Sequence, residues 1–430
     1  MKKNAIILNL LCVTSFLFAQ HNYKEAFAPV NPEYIKYKAS GEKGLIPSYF
    51  SISFDQLIKK RAALQLPEKF DLRETGLLSA PRDQGVVNAC WTFATYDAIQ
   101  SVWARMGFET TAYSVENLAN CHGYNVLKNK GGNAAMAMAY FARFAGPVYE
   151  TSDPFINDTM GTCNSSITQN DKVALVSQAF YVPKEVQIIK EMVYRYGGVV
   201  TAMSADQFNT LYYNPTTFTV YMKQAPAGVI LDHAVTIVGW DDNKVVFNPI
   251  GENPTNPGAW ILKNTVGTAK HEGGYFYASY EDVYMGSRAT VYAQRIEKSE
   301  VDTVFYYDKL GHVSNYGSGF VDSASVIVKY HSPNEKLITA IGTYTSSAAS
   351  TIDIELYQFK DGELLSGLLG KKTGLLCEFP GYHSFDFPIT VSGDFYVKIN
   401  YKTPGNKYPI PIEITPPDGA IIDVKPEGLQ

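Results

Sequence analysis

Residues 81–96 read Pro-Arg-Asp-Gln-Gly-Val-Val-Asn-Ala-Cys-Trp-Thr-Phe-Ala-Thr-Tyr, and a single cysteine, Cys90, stands where a turn-rich stretch gives way to an apolar run. Trp91, Ala94, Ala98, Val102 and Ala104 recur near three- and four-residue spacing, which predicts a helix from Ala89 to about Arg105 with Gly107 able to end it. A thiol at a helix N-terminus feels the partial positive charge of unpaired N–H groups, which favours the nucleophilic thiolate. Gln84, six residues before the cysteine, adds an amide that can hold an oxyanion. Taken alone, the stretch is better read as a core helix that begins with a cysteine. Its catalytic reading demands a histidine and an orienting amide far downstream.

Both are present. Leu231-Asp232-His233-Ala234-Val235-Thr236-Ile237 puts His233 at the head of an apolar, β-branched run, and Trp260-Ile261-Leu262-Lys263-Asn264-Thr265 puts Asn264 at the end of another. The histidine follows Cys90 by about 140 residues and the asparagine lies about 30 further on, the separation expected of papain-like enzymes. Residues from about 66 to 298 therefore resemble a papain-family (C1-type) cysteine peptidase.

The resemblance implies an α+β, two-lobed domain with a helical lobe and a β-barrel-like lobe. It implies Cys90 as nucleophile, His233 as its base, Asn264 as the orienting amide and Gln84 as an oxyanion donor, with no metal or organic cofactor. Further segments carry it. Leu66 to Arg73 resembles the family's mature N-terminus, with Leu72 where a Trp is usual. Tyr113 to Leu118 resembles a family helix start, with Ser114 as its N-cap. Gly197 to Met203 resembles the strand that opens the second lobe, and Gly273-Gly274-Tyr275-Phe276 the strand after the asparagine. Gly131-Gly132-Asn133 resembles the segment whose backbone pairs with substrate, and reads as readily as a turn before a helix at Ala134 to Phe144. Substrate contacts are thus expected at Gly131, Gly132, Asn133, Ala134, Ala202, Leu231 and Asp232. Asp232 reads more as a structural or pH-tuning neighbour of His233 than as a catalytic group.

Some positions depart from the family. Asn88 replaces a Gly beside the oxyanion region. Val266 replaces the Trp that shields the His–Asn hydrogen bond, which implies a less well held His233, and Lys270 replaces another Trp. Asn133 and Ala134 replace an aromatic-Pro pair, which implies a specificity pocket shaped differently from papain's and more open.

At 430 residues the chain exceeds one ordinary core, and two or three domains are expected. A net charge of −5 gives no reason to expect nucleic acid as a partner. Lys2, Lys3 and the mostly apolar Ala5 to Ala19 read as a cleaved leader over 1–19. The run is too short to span a membrane, and no other approaches ~20 apolar residues. Export makes disulfides possible, and Cys90, Cys121, Cys163 and Cys377 allow three sets of two bridges. With Cys90 free, only one bridge is expected. The resemblance matches it to Cys121–Cys163, closing a loop worth about 3–4 kcal/mol, and assigns a second family bridge to the positions of Val87 and Asn129, where both cysteines are absent. Cys377 reads as a buried thiol.

Residues 20–65 read as an N-terminal arm or short propeptide without a sustained helical pattern, Ser53 to Leu64 being the one candidate helix. From about Thr168 the chain turns β-rich. Residues 299–430 alternate clearly at Ala324 to Tyr330, Ile352 to Leu356 and Phe395 to Tyr401, with turns expected at Asp361-Gly362, Ser392-Gly393 and Pro404-Gly405. That is an all-β sandwich, and its segments resemble the lectin-like domain that follows some papain-like domains. A lectin-like fold does not by itself establish sugar binding. The remaining histidines, His122, His271, His312, His331 and His383, show no metal-ligand spacing and read as surface or locally hydrogen-bonded groups. The functional expectation is an exported cysteine endopeptidase acting on peptides or proteins. The alternative is a non-catalytic scaffold whose C-terminal domain binds a glycan or surface protein. Restricted exopeptidase activity would need an occluding loop, for which 241–259 is the only candidate.

Overall fold

A computed structural model describes residues 5–9, 26–41, 45–55, 57 and 64–414. The expected leader lies outside the described residues except for the backbone of Ala5–Asn9, a short strand parallel to Val301–Tyr306. Among the described residues no helix is long and apolar enough to cross a membrane.

The helical lobe is built around three helices that follow an arm helix, α1 (Pro32–Ala39). Helix α2 (Cys90–Arg105) is buried on every side from Cys90 to Trp103, which is why its apolar stripe reads so broadly. Helix α3 (Val115–Cys121) starts at Ser114, whose hydroxyl accepts the Asn117 N–H, as the sequence predicts. Helix α4 (Ala134–Ala142) starts at Asn133, whose side chain accepts the Met136 N–H. Cys121 is bonded to Cys163. Asn129 accepts the Asn88 N–H at 2.8 Å, and its carbonyl accepts the Asn88 amide at 3.1 Å. Hydrogen bonds thus tie the segments that a second family bridge would join.

The second lobe is a curved sheet. Its strands are β1 (Ala174–Val182), β2 (Val199–Met203), β3 (His233–Asp241), β4 (Ala259–Lys263), β5 (Tyr275–Ser279) and β6 (Ser287–Glu297), in the spatial order β1-β6-β2-β3-β4-β5. Helix α2 lies directly on this sheet. At Gly198 a Cβ would come within 2.8 Å of Thr236 and 3.2 Å of the Ala98 backbone, so glycine permits the close approach. The Gly198 N–H donates to Ser101 Oγ at 2.7 Å, and Thr236 Oγ1 donates to the Ala94 carbonyl at 3.1 Å.

The C-terminal unit is β-rich, as expected. A long strand, Ser323–Thr345, pairs antiparallel with Gly381–Lys402, which pairs in turn with Ser350–Asp361 and through it Leu364–Cys377. Ile410–Ile412, Ser314–Gly317 and Ala26–Phe27 form a small second sheet. Ile410 and Ile412 close a core with Val328, Ile354, Phe395, Val397 and Ile399. Cys377 is free and buried there. The two units share one sheet, because Gly381, Tyr382 and His383 pair with Phe180, Ala179 and Gln178 of β1.

Four local expectations change. Helix α1 is present in the arm, where only Tyr34 and Tyr37 are buried, too few for a visible period. Helix α5 (Val186–Arg195) interrupts the β-rich half; Ile189, Met192 and Val193 form its inner face, and its β-branched residues disguise it. Ser53 makes an isolated bridge to Ser347 and Asp55 lies in a turn, while the rest of the expected helix, 58–63, lies outside the described residues. Ser392-Gly393 is no turn between strands. Gly393, at φ +66°, sits beside a register shift inside the continuous Gly381–Lys402 strand.

Two histidines sit at the junction of the units. His383 donates from Nε2 to the Phe379 carbonyl at 2.9 Å, and His312 stacks on Phe50 of the arm at 3.6 Å between centroids. Burial pushes His383 down to about 4 and His312 down to about 3. An unfolded chain takes up protons at these histidines below about pH 6.5 that the folded chain resists, so their contribution disfavours folding increasingly as pH falls from there. The thermal midpoint is expected to fall steadily from about pH 6.5 toward 4, and His383→Gln to make that fall shallower, as measured by thermal unfolding across the range.

Candidate active site

The ends of three elements meet in one cleft. Cys90 is the first residue of α2, so its N–H has no partner within the helix. His233 is the first residue of β3, and Asn264 follows the last residue of β4. The Cys90 Sγ accepts the Ala234 N–H at 3.4 Å. His233 Nε2 donates to Asn264 Oδ1 at 2.8 Å. Cys90, His233 and Gln84 line the same open cleft of about 1100 Å³.

Asn264 is gripped at each polar atom. Its Oδ1 also accepts the Thr265 N–H at 2.8 Å, and its Nδ2 donates to His271 Nε2 at 3.1 Å. That bond makes Nε2 of His271 the acceptor, so its Nδ1–H donates to the Tyr213 hydroxyl at 2.8 Å. Phe208 stacks on His271 at 4.7 Å. Asn264 has no exposed surface and His233 is 8% exposed. The less well held His233 expected from Val266 is therefore not found. Aromatic rings from elsewhere surround His271, and His271 takes up the second hydrogen-bonding end of Asn264. The sequence reading gave His271 only a local hydrogen bond, and no spacing signal marked its partner.

Thr265 ties the two amides of the site together. Its carbonyl accepts the Gln84 N–H at 2.8 Å, and its hydroxyl donates to Gln84 Oε1. Gln84 Nε2 donates one N–H to the Val87 carbonyl at 2.9 Å, which leaves a second N–H for an oxyanion. Behind Asn264, Lys263 Nζ meets Asp97 Oδ1 at 2.7 Å, with both side chains buried, and also donates to Ser79 Oγ at 3.0 Å.

The electrostatics of the covered cleft differ from the sequence expectation. Burial pushes the Cys90 thiol up to about 11, outweighing the Ala234 and Trp91 N–H groups that lower it. Burial pushes His233 down, against its bond to Asn264 and the charge of Asp232. Helix-terminus stabilisation alone does not hold a thiolate at a cysteine that is 3% exposed. The arm contributes to this cover. Leu45 lies on the cleft lining, and its N–H donates to the Leu231 carbonyl at 2.9 Å.

The seven expected substrate positions all lie at this cleft. Gly131 and Asp232 line it beside Cys90. Gly132, Asn133, Ala134 and Ala202 line an adjoining pocket with Trp91 and Ala234, and Leu231 offers the carbonyl that the arm uses. Gly132 must be small, because a Cβ there would fall 2.3 Å from the Trp91 ring. Asp232 is structural: its Oδ1 accepts the Ala205 N–H at 2.7 Å. Leu45 and Ile46 of the arm line the adjoining pocket, so the more open pocket expected from Asn133 and Ala134 is closed on that side. Residues 241–259 form a hairpin loop between paired β3 and β4, and none of them is among the cleft's lining.

Residues 66–294 match the papain family of cysteine proteases. The chain belongs to that family. Residues 304–424 match the lectin-like domain family. A probable cysteine protease, RDL6, of Arabidopsis thaliana is 26% identical over 49% of this chain and 54% of its own length. Mouse cathepsin M is 24% identical over 52% of this chain and 63% of its own. The chain thus spans about half to two thirds of the length of these papain-family relatives. The cysteine protease and lectin-like domains of Cwp84, a surface layer associated protein of Clostridium difficile, share the fold, with a TM-score of 0.70 at 18% identity over 93% of this chain and 87% of theirs.

Removing one partner of the Lys263–Asp97 pair strands the other charge in the core. Asp97→Asn is expected to cost about 3–5 kcal/mol in denaturant unfolding, and Asp97→Leu combined with Lys263→Met to recover most of that loss.

Proposed function

We propose that this protein is an exported cysteine endopeptidase that cleaves peptide bonds through a Cys90–His233–Asn264 triad and a thioester intermediate. The observation that carries the reading is the His233–Asn264 hydrogen bond in the cleft that also holds Cys90 and Gln84. Export is supported by the leader-like residues 1–19 and by the Cys121–Cys163 bridge, since disulfides persist in oxidising compartments.

In the proposed reaction His233 takes the Cys90 proton on the ring nitrogen not bonded to Asn264. The sulfur attacks the substrate carbonyl carbon, and the C=O electron pair moves onto oxygen. The Cys90 N–H and the second Gln84 amide N–H stabilise that oxyanion. The C–N bond then breaks, His233 protonates the leaving amine, and an acyl thioester remains on Cys90. Water, deprotonated by His233, attacks the thioester and releases the carboxylic acid and the thiol. His271 is a positioning residue: it accepts from Asn264 Nδ2 and so fixes which face of the amide meets His233.

The β-rich unit supports the proposed reading of an accessory recognition domain for a glycan or surface protein. The arm over residues 26–57 supports a covering role, since its Leu45 lies in the cleft. It is also wired into both units, through Ala26–Phe27 on Ser314–Gly317 and Ser53 on Ser347.

A papain-type epoxide should alkylate Cys90 under mild reducing conditions, as mapped by mass spectrometry, and His233→Ala should abolish the adduct. An adduct that forms equally fast without His233 rejects the assembled pair. With peptide substrates, His271→Ala should lower kcat by about 10- to 100-fold with little change in KM, and His271→Gln, which keeps an acceptor, should restore part of the loss.

A further inference from the structure

The pocket beside Cys90 is apolar on most sides. Trp91, Ala134, Val200, Ala202 and Ala234 supply small or flat walls. The sheet register assembles it, because Ala202 of β2 lies opposite Ala234 of β3 on one edge and opposite Ser287 of β6 on the other. The residue after Ser287 is Arg288, the only charged side chain on the pocket's lining.

Both hydrogen-bond partners that the Arg288 guanidinium has among the described residues belong to the arm. One guanidinium nitrogen donates to the Leu45 carbonyl at 3.2 Å, and the other meets Glu33 Oε2 at 3.0 Å. Glu33 comes from the first turn of α1, and its own side chain is 59% exposed. The arm therefore places three things on this pocket: the apolar Leu45 and Ile46, a backbone N–H bonded to Leu231, and a carboxylate on Arg288. Arg288 also adopts φ +53°, a left-handed conformation that a long side chain rarely takes, and such outliers persist where the surroundings over-determine them.

A substrate that enters this pocket must displace Leu45 and Ile46. Arg288 then loses both partners beside apolar walls, where an unpaired charge is costly. The planar fork of a guanidinium matches a carboxylate better than any neutral group. We propose that Arg288 is a specificity-determining residue that selects an acidic side chain, foremost glutamate, on the unreacted side of the substrate, and that Glu33 of the arm holds its place until substrate arrives. The proposal rests on the peptidase reading above.

The test uses the full chain and three peptidyl epoxides that differ only in the side chain offered to this pocket, Glu, Gln or Leu. The readout is the second-order rate of Cys90 alkylation. In wild type and in Glu33→Gln, the Glu compound should react about tenfold or more faster than the isosteric Gln compound, with the larger absolute rate in Glu33→Gln. Arg288→Gln should bring that ratio to about one, and Arg288→Lys should keep part of it. The rate with the Leu compound reports in each variant whether the site is still assembled. Equal Glu and Gln rates in Glu33→Gln, or a Glu preference that survives Arg288→Gln, would overturn the proposal while leaving the peptidase reading in place. No alkylation of Cys90 by any compound would reject the peptidase reading and this proposal together.

Discussion

The buried pair between Lys263 and Asp97 is the contact on which the site's geometry turns. Asp97 lies two turns along α2 from Cys90, and Lys263 directly precedes Asn264. One ion pair therefore joins the helix that carries the thiol to the strand that carries the orienting amide, across the boundary between the lobes. A buried ion pair is a poor way to gain stability, because desolvation of two charges cancels most of their attraction. It is a good way to forbid alternatives, since no other placement of α2 on the sheet leaves both charges paired. The small residues on both faces, Ala94, Ala98 and Gly198, let the helix come close enough for that pair to close.

Much of the site was legible before any coordinates, for a chemical reason. Thiol chemistry demands a cysteine at a helix start, a histidine, an amide and an upstream oxyanion donor, and only a few residue types can play each part. Cys90, His233, Asn264 and Gln84 were found on those grounds. His271, Thr265 and Arg288 were not, because their roles arise from contacts between segments. The bond from Arg288 to Glu33 spans 255 residues, and a lone histidine in a Gly-rich stretch carries no mark of the asparagine it will meet. The same division runs through the fold. Long amphipathic or alternating stretches were read correctly, whereas α1, α5 and the kink at Gly393 depend on partners supplied by the rest of the molecule.

Local chemistry also misjudged the charge state. A helix terminus lowers a thiol's pKa only as far as its surroundings let the charge be solvated. Here the arm, the sheet and the helical lobe together leave Cys90 and His233 almost dry, and burial prevails over the terminus for both groups. The reactive pair and its cover are thus one electrostatic system, and neither can be assigned a protonation state without the other.

The strand pairing of Gly381–His383 with Gln178–Phe180 has a consequence for how such a molecule would work. Two units joined only by a linker would be free to sample many mutual orientations, and a target held by one would reach the other by chance. Here backbone hydrogen bonds run unbroken from the β-rich unit into the sheet that bears His233. The separation between any patch on that unit and the sulfur of Cys90 is then a fixed length of the architecture. A surface-bound target would be offered to the cleft at one reach and one angle, so that position along the target, as well as its local residues, would decide where the chain is cut.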